Sequence, residues 1–356
     1  MRRLIWIFLF LLAVIRIVLY FRSLPHHPDG TRLRISNRLA SEPIKYENSQ
    51  RLSLSGFKFY LPLYIQIDYG DKLIVEGVVK GNKLLNVKLI KVITGDSFLF
   101  NFRNKLLDYY KKNLPYPHSS LISGVVIGAK SDIGNDFWDK LKKSGTAHVV
   151  VASGMNVTLV AGFLITFLTL FLARPIALPI VFIGVWFYAV LSGFDAPIIR
   201  ASIMGSLTFL AQMLGRLKLS LRVLNITALI MLIIWPFWIV DLGFWLSFMA
   251  TLSIIMFEPK FRKIFRIFPK FLRTDFSTTV SAQIGVAPIL FYYFGQFNLL
   301  SPFVNMATLW TIPYITVIGI IGGILGLVYQ PLGKIILLIS YPLTSWFIFI
   351  VRMFGK

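Results

Sequence analysis

Nine apolar runs of 15 to 27 residues, joined by short polar connectors, dominate the chain and leave it few ways to fold. They cover residues 4–21, 147–173, 176–192, 198–214, 223–240, 242–257, 280–294, 303–327 and 335–354. A helix needs about 20 apolar residues to cross a bilayer core, and only a structure that satisfies its own backbone is stable there. The succession predicts an α-helical polytopic membrane protein with about nine transmembrane helices. Composition agrees: of 356 residues 56% are hydrophobic and 15% charged, against roughly 25% charged in soluble domains. A disordered chain is excluded, and the composition argues against an ordinary soluble enzyme. With no cysteine, the disulfide framework, thiolate zinc site and cysteine nucleophile go as well. The four histidines, His26, His27, His118 and His148, stand at no metal-binding spacing, so neither a metal nor another cofactor is expected.

The order of segments divides the chain further. Residues 1–21 read as an N-terminal transmembrane helix: no small-residue cleavage pattern follows Phe21, so an uncleaved helix is expected rather than a secretory signal. Residues 22–96 change character to short alternating runs, 31–39, 50–60, 72–80 and 84–93, separated by Gly, Pro, Asn and Asp. These read as strands of a small OB-like β module. Residues 97–146 are amphipathic and predict membrane-associated helices at 98–114 and 119–128. Residues 147–356 hold the remaining spans.

Loop charges orient this arrangement, because retained cytoplasmic loops are rich in Lys and Arg. One alternate set of connectors carries thirteen of them, beginning with Arg2 and Arg3, including Arg216, Lys218 and Arg222, and ending at Lys334. The short connectors of the other set, 193–197, around 241 and 295–302, hold Asp195 and Asp241 but no Lys or Arg. The N-terminus is therefore predicted cytoplasmic, with the β module and the C-terminus external.

Residues 147–173 are longer than one crossing requires and contain Ser153-Gly154-Met155-Asn156. A polar, glycine-bearing stretch at that depth has to be buried in protein or line a wet cavity. Two conformations are open. A continuous helix aligns His148, Ala152 and Asn156 on one face, whereas a break at Gly154 turns half-helix ends toward a cavity. Elsewhere Arg200 sits inside a span, where a charge is expensive and faces the bundle interior; it can guide a polyanion or be a structural partner of Asp195 or Asp241. Gln283 and Asn305 lie in later spans, with interhelical hydrogen bonding as the plain alternative to a role in a path. Asp241 fits a helix N-cap, and Gly319, Gly322, Gly323 and Gly326 fit close helix packing. The run Lys260–Arg273, interleaved with Phe261, Phe265, Phe268 and Phe271, suits either anionic membrane lipids or emerging single-stranded DNA.

With these residues in place, the chain resembles the ComEC family of competence proteins. Four stretches in the family's order carry the likeness: Ser144-Gly145-Thr146-Ala147-His148 with Ser153-Gly154; Ser192-Gly193-Phe194 with Arg200-Ala201; Asp241 through Phe248; and Gln283 through Pro288 followed by Tyr292, Phe294-Gly295, Ser301-Pro302 and Asn305. The resemblance implies an inner-membrane channel for single-stranded DNA during natural transformation, with His148, Ser153, Gly154, Asn156, Arg200, Gln283 and Asn305 along the DNA path and no catalytic residues. It also implies partners: single-stranded DNA, a DNA receptor, a cytoplasmic helicase or translocase, and a separate nuclease. Two departures qualify it. The family places a second histidine after Ser-Gly where this chain has Asn156, and the metallo-β-lactamase signature H-x-H-x-D-H of longer members does not occur in these 356 residues. No Walker A pattern occurs either, so the drive is expected from another protein. Readings from other classes are a secondary transporter for a small anion, an intramembrane hydrolase using Ser153 or His148, and a noncatalytic scaffold of an uptake machine.

Overall fold

The computed structural model describes residues 2–23, 27–39, 42–45, 48–65, 67–94, 98–150, 153–213, 220–294 and 300–355. Ala152, Arg216, Lys218 and Gly295, to which the sequence assigns roles, lie outside them.

After α1 (Arg2–Ser23), the alternating segments form one six-stranded sheet from β1 (Arg32–Arg38), β2 (Ile44–Lys45), β3 (Ser49–Leu54), β4 (Phe57–Pro62), β5 (Lys72–Lys80) and β6 (Lys83–Ile93). The strand order is β1-β5-β6-β4-β3-β2, antiparallel throughout except where β4 meets β6. Residues 50–60, expected as one strand, are a hairpin: Ser55 and Gly56 take φ of 51° and 87° and reverse the chain, a geometry whose twist matches paired strands. Alternate residues of β5, Leu73, Val75 and Val79, point into a core with Leu52, Phe59 and Leu84, the period-2 pattern of a strand covered on one face.

The rest is helical: α2 (Phe98–Asn113), α3 (His118–Ile127), α4 (Asn135–Ser144), α5 (Ala147–Val150), α6 (Gly154–Leu168), α7 (Arg174–Leu191), α8 (Ala196–Met213), α9 (Ser220–Ile234), α10 (Leu242–Ile264), α11 (Lys270–Phe294), α12 (Ser301–Thr308), α13 (Ile312–Val328), α14 (Gln330–Ile339) and α15 (Tyr341–Phe354). Among the described residues four helices are long and apolar enough to cross a membrane: Trp6–Ser23, Arg174–Leu191, Leu242–Ile264 and Ser301–Val328. A fifth crossing results if α14 and α15, bent by 45°, count as one. Three more expected spans correspond to the shorter apolar helices 154–168, 196–211 and 220–234, and the run 280–294 is the apolar end of α11. Exposed leucine, isoleucine and phenylalanine cover the outer surface, as on Leu4, Phe8 and Ile183. These features describe a polytopic membrane protein.

Two apolar cores organise the helices. One joins α2, α3, α4, α13, α14 and α15; the other joins α6 through α10. At the centre of the first, all ten residues of α3 are buried, so the helix expected at 119–128 as amphipathic presents no exposed polar face. The sequence His118-Ser-Ser-Leu-Ile-Ser resembles a polar face, but Ser120 donates to the Asp132 carbonyl at 2.7 Å and His118 Nδ1 pairs with Thr344 Oγ1 at 2.7 Å. Polar groups satisfied by protein can sit inside. The glycines of α13 pack as expected: Tyr110, fully buried, donates to the Gly319 carbonyl at 2.9 Å, and α14 lies against Gly322 and Gly326. The basic aromatic run is divided among the end of α10, a turn at 265–269 and the start of α11 rather than forming one amphipathic helix. Phe261 packs on Phe265 at 5.8 Å, and Phe265 packs on Phe276 of α11 at 4.8 Å.

Phe59→Ala, which empties a fully buried ring position in the sheet core, is expected to destabilise the module by about 3 to 5 kcal/mol. Limited proteolysis of the full chain in detergent checks this: cleavage should concentrate between residues 27 and 94 and spare the helices.

Candidate functional site

The long apolar run 147–173 is broken. Helix α5 is described over Ala147–Val150, Ser153 is extended at φ −118° and ψ 167°, and α6 starts at Gly154 without a capping bond from the Ser153 side chain. Its first backbone N–H groups thus lack the usual side-chain acceptor, and the end carries the positive pole of the helix dipole.

Arg200, on α8, meets this end. Its Nε donates to Ser247 Oγ at 2.7 Å, and Nη1 donates to Thr251 Oγ1 and contacts Met204 Sδ at 3.6 Å. Thr251 in turn gives its own proton to the Ser247 carbonyl at 2.9 Å, which leaves its oxygen free to accept. Ser247 and Thr251 are one turn apart on α10 and so face the same way. The remaining guanidinium nitrogen, Nη2, lies against α6: a Cβ on Gly154 would stand 2.6 Å from it. Any side chain at 154 would push Nη2 of the arginine aside. Among the described residues Arg200 forms no ion pair. Asp195 instead pairs with Lys130 Nζ at 2.6 Å, and Asp241 caps α10 by accepting from the Phe244 N–H at 2.8 Å.

The other expected path residues distribute around this centre. Asn156 is fully buried and donates from Nδ2 to the Val125 carbonyl of α3 at 2.8 Å. Its Oδ1 lies in a buried polar group with the hydroxyls of Tyr188, on the last turn of α7, and Ser192, which caps that helix. Asn305, also fully buried, donates to Ser301 Oγ at 3.3 Å, and Ser301 in turn donates to the Gly145 carbonyl at 3.4 Å, so α12 is tied to the turn before α5. Gln283 is half-buried on α11, and His148 is exposed on α5. The structure therefore brings Ser153, Gly154 and Arg200 together, with Asn156 one turn away facing α3, and sets Asn305, Gln283 and His148 on neighbouring elements. Ser247 and Thr251 were not singled out from sequence, although two hydroxyls at i and i+4 in an apolar helix mark a polar face.

A second polar region lies where the sheet meets the helices. A cavity of about 880 Å³ opens between them, lined by Glu42, Tyr69, Arg103, Lys130, Ser192 and Asp195 among others. Ser192 also belongs to the polar group beside Asn156, so polar side chains run from the cavity toward the helix break.

Ser247→Ala leaves the Nε donor of Arg200 without its hydroxyl and is expected to destabilise the folded chain by about 1.5 to 3 kcal/mol. Gly154→Val is expected to do at least as much by displacing Nη2. Thermal unfolding in detergent checks both, with Ser206→Ala, outside the site, as the reference.

A model of the competence protein family matches residues 125–356. ComE operon protein 3 of Bacillus subtilis (strain 168) is 23% identical over 232 residues, which cover 64% of this chain and 29% of that protein. Competence protein ComA of Neisseria gonorrhoeae is 26% identical over 214 residues, 57% of this chain and 30% of that one. An uncharacterized protein of Aquifex aeolicus (strain VF5) is 32% identical over 159 residues, 44% and 38% of the two chains. The matches thus span about three- to four-tenths of the length of these relatives. No solved structure matches. The matched region contains Ser153, Gly154, Arg200, Ser247 and Thr251, and on that match, with the order of the sequence stretches described above, the chain belongs to the competence protein family.

Proposed function

We propose that the chain builds the path by which single-stranded DNA crosses the cytoplasmic membrane during natural transformation. The observation that carries this reading is the meeting of Arg200 with the start of α6. A guanidinium and a helix N-terminus are both electropositive, and inside an apolar bundle their apposition is favourable when an anion shares the spot. A phosphate backbone is the anion that fits a protein of this family. A polyanion advancing through the bundle would exchange water for a few fixed donors at a time and be held tightly by none of them. The proposed role is conduction, with no catalytic residue. His148, Ser153, Asn156, Gln283 and Asn305 are proposed to shape or support the same path.

The topology proposed with it counts nine crossings: the four helices long and apolar enough to cross, the bent pair α14 and α15 taken as one, the three shorter apolar helices α6, α8 and α9, and the apolar end of α11. The N-terminus is then cytoplasmic, and the β module, the Asp195 connector and the C-terminus are external. The cavity supports one part of this, since Glu42 from the sheet module and Asp195 from the 193–197 connector line it together. The sheet is proposed to be OB-like: without the two-residue β2 it is five-stranded, with one parallel pair between β4 and β6, and such modules bind single strands. A helicase or translocase, a DNA receptor and a nuclease are proposed partners, and no motif in the chain supplies their activities.

Accumulation of labelled DNA in a DNase-resistant intracellular pool tests the reading. At matched expression, deletion of the chain and Arg200→Gln are each expected to reduce uptake at least about ten-fold, a loss equivalent to about 1.4 kcal/mol at the limiting step. Arg200→Lys should retain part of it. Unchanged uptake in the deletion strain would contradict the function, and a small-anion transporter would then be tested by flux.

A further inference from the structure

Glu42 occupies a built anion site. Its carboxylate comes from the connector between β1 and β2, but every group that binds it belongs to the helical part. Arg103 of α2 pairs with Oε1, while the successive backbone N–H groups of Lys130 and Ser131 donate to Oε2 at 2.6 and 3.1 Å. Paired amides of this kind form an anion-binding concavity. Their position follows from sequence: Gly128 ends α3 in the left-handed region at φ 71°, and its N–H closes on the Gly124 carbonyl, which turns the next amides outward. Arg103 is only 3% exposed and is fixed without Glu42, by donation from Nε to the Leu191 carbonyl at 3.0 Å and from Nη2 to the Ile127 carbonyl at 3.3 Å, with the Tyr69 ring 5.6 Å from its carbon. The donors are therefore pre-arranged, and the carboxylate is the one component carried by another module.

The surroundings fit a ligand larger than a carboxylate. The adjoining cavity, about 880 Å³, falls in the range of ligand sites. Its charged lining is balanced, with Arg103, Lys130 and Lys142 against Glu42, Asp139 and Asp195; Lys130 pairs with Asp195 and Lys142 with Asp139, so the positive charge uncovered when Glu42 leaves is that of Arg103. Tyr69 and Trp138 also line it, and aromatic faces stack bases irrespective of sequence.

We infer that Arg103, Lys130 and the amides of Lys130 and Ser131 bind a backbone phosphate of single-stranded DNA, and that Glu42 holds the site closed until the strand displaces it. This rests on the DNA reading given above and adds an entry site with an internal competitor. A simple counterion for Arg103 would also pair with it, but removing that counterion would not strengthen binding of an external anion.

The test uses the full chain in zwitterionic lipid nanodiscs with a fluorescein-labelled oligothymidylate, read by anisotropy across a salt series. Glu42→Gln, which keeps an acceptor for the amides but removes the charge, is expected to tighten binding roughly five-fold by relieving self-occupancy. Lys130→Gln, at a half-exposed side chain, is expected to weaken binding and to lower the salt slope by about one. The oligonucleotide should also stabilise the Glu42→Gln variant against heat more than the parent. Parental affinity in Lys130→Gln, or equal or weaker binding in Glu42→Gln, overturns the site. Selective retention of phosphatidylglycerol by Glu42→Gln, with no gain for the oligonucleotide, assigns the anion to a lipid headgroup and also overturns it. If these variants fail the binding test while Arg200→Gln still abolishes uptake, the entry site falls and the conduit stands.

Discussion

The organising constraint in this protein is the placement of charge and free backbone inside an apolar helical bundle. Lipid offers such groups nothing, so each must be met by protein or by what passes through it. At the start of α6, protein meets only part of the demand. Two hydroxyls one turn apart on α10 hold Arg200 by two of its nitrogens, and the third faces a glycine at an uncapped helix end. The packing of three helices is set by this contact: α6 supplies the absence of a side chain, α8 the guanidinium, and α10 the acceptors. None of the three could be shifted by a residue without losing it.

Arg103, a fully packed arginine at 3% exposure, meets the same constraint differently. Arg103 has a carboxylate, two carbonyls and an aromatic face around it, and the carboxylate belongs to the sheet module. That ion pair is what fastens the module to the helices at the cavity, together with the Glu42 bonds to the turn after Gly128. A buried pair of this kind contributes little net stability compared with apolar packing, yet is costly to break from one side. Such an interaction suits a joint that opens when another anion takes over, and suits permanent attachment less well. The polar group of Ser192, Tyr188 and Asn156 lies between this joint and the helix break, so the two arginine sites are connected by polar side chains within an apolar bundle.

Much of this was legible in the sequence, and the reasons for the rest are specific. The apolar runs located almost every long helix because hydrophobic length is a direct readout of burial or lipid contact. The break in residues 147–173 was one of two open readings, and Ser153-Gly154 marks it because a small residue and an extended cap stop a helix. Asp241 was readable as a cap for the same local reason. Residues 50–60 hid a hairpin because Ser55-Gly56 sits between two runs of matching alternation, so the turn leaves the period unbroken. The burial of α3 was not legible, since His118 finds its partner, Thr344, 226 residues away and Ser120 bonds the Asp132 carbonyl beyond the helix end. Glu42 gave no signal at all: a lone acid in a connector acquires meaning only from the amides and the guanidinium that fold around it. Arg200 was recognisable as unusual, but its partners Ser247 and Thr251 were fixed by the crossing of α8 and α10, which no local pattern encodes.

Because the chain has no cysteine, the central claim can be probed residue by residue. Ser247→Cys and Thr251→Cys place a thiol beside Arg200, and a membrane-impermeant maleimide reports whether water reaches it. A DNA path predicts labelling of both positions in the folded chain and protection of both by single-stranded oligonucleotide but not by inorganic phosphate at equal charge. No labelling, or labelling that the oligonucleotide leaves unchanged, would contradict it.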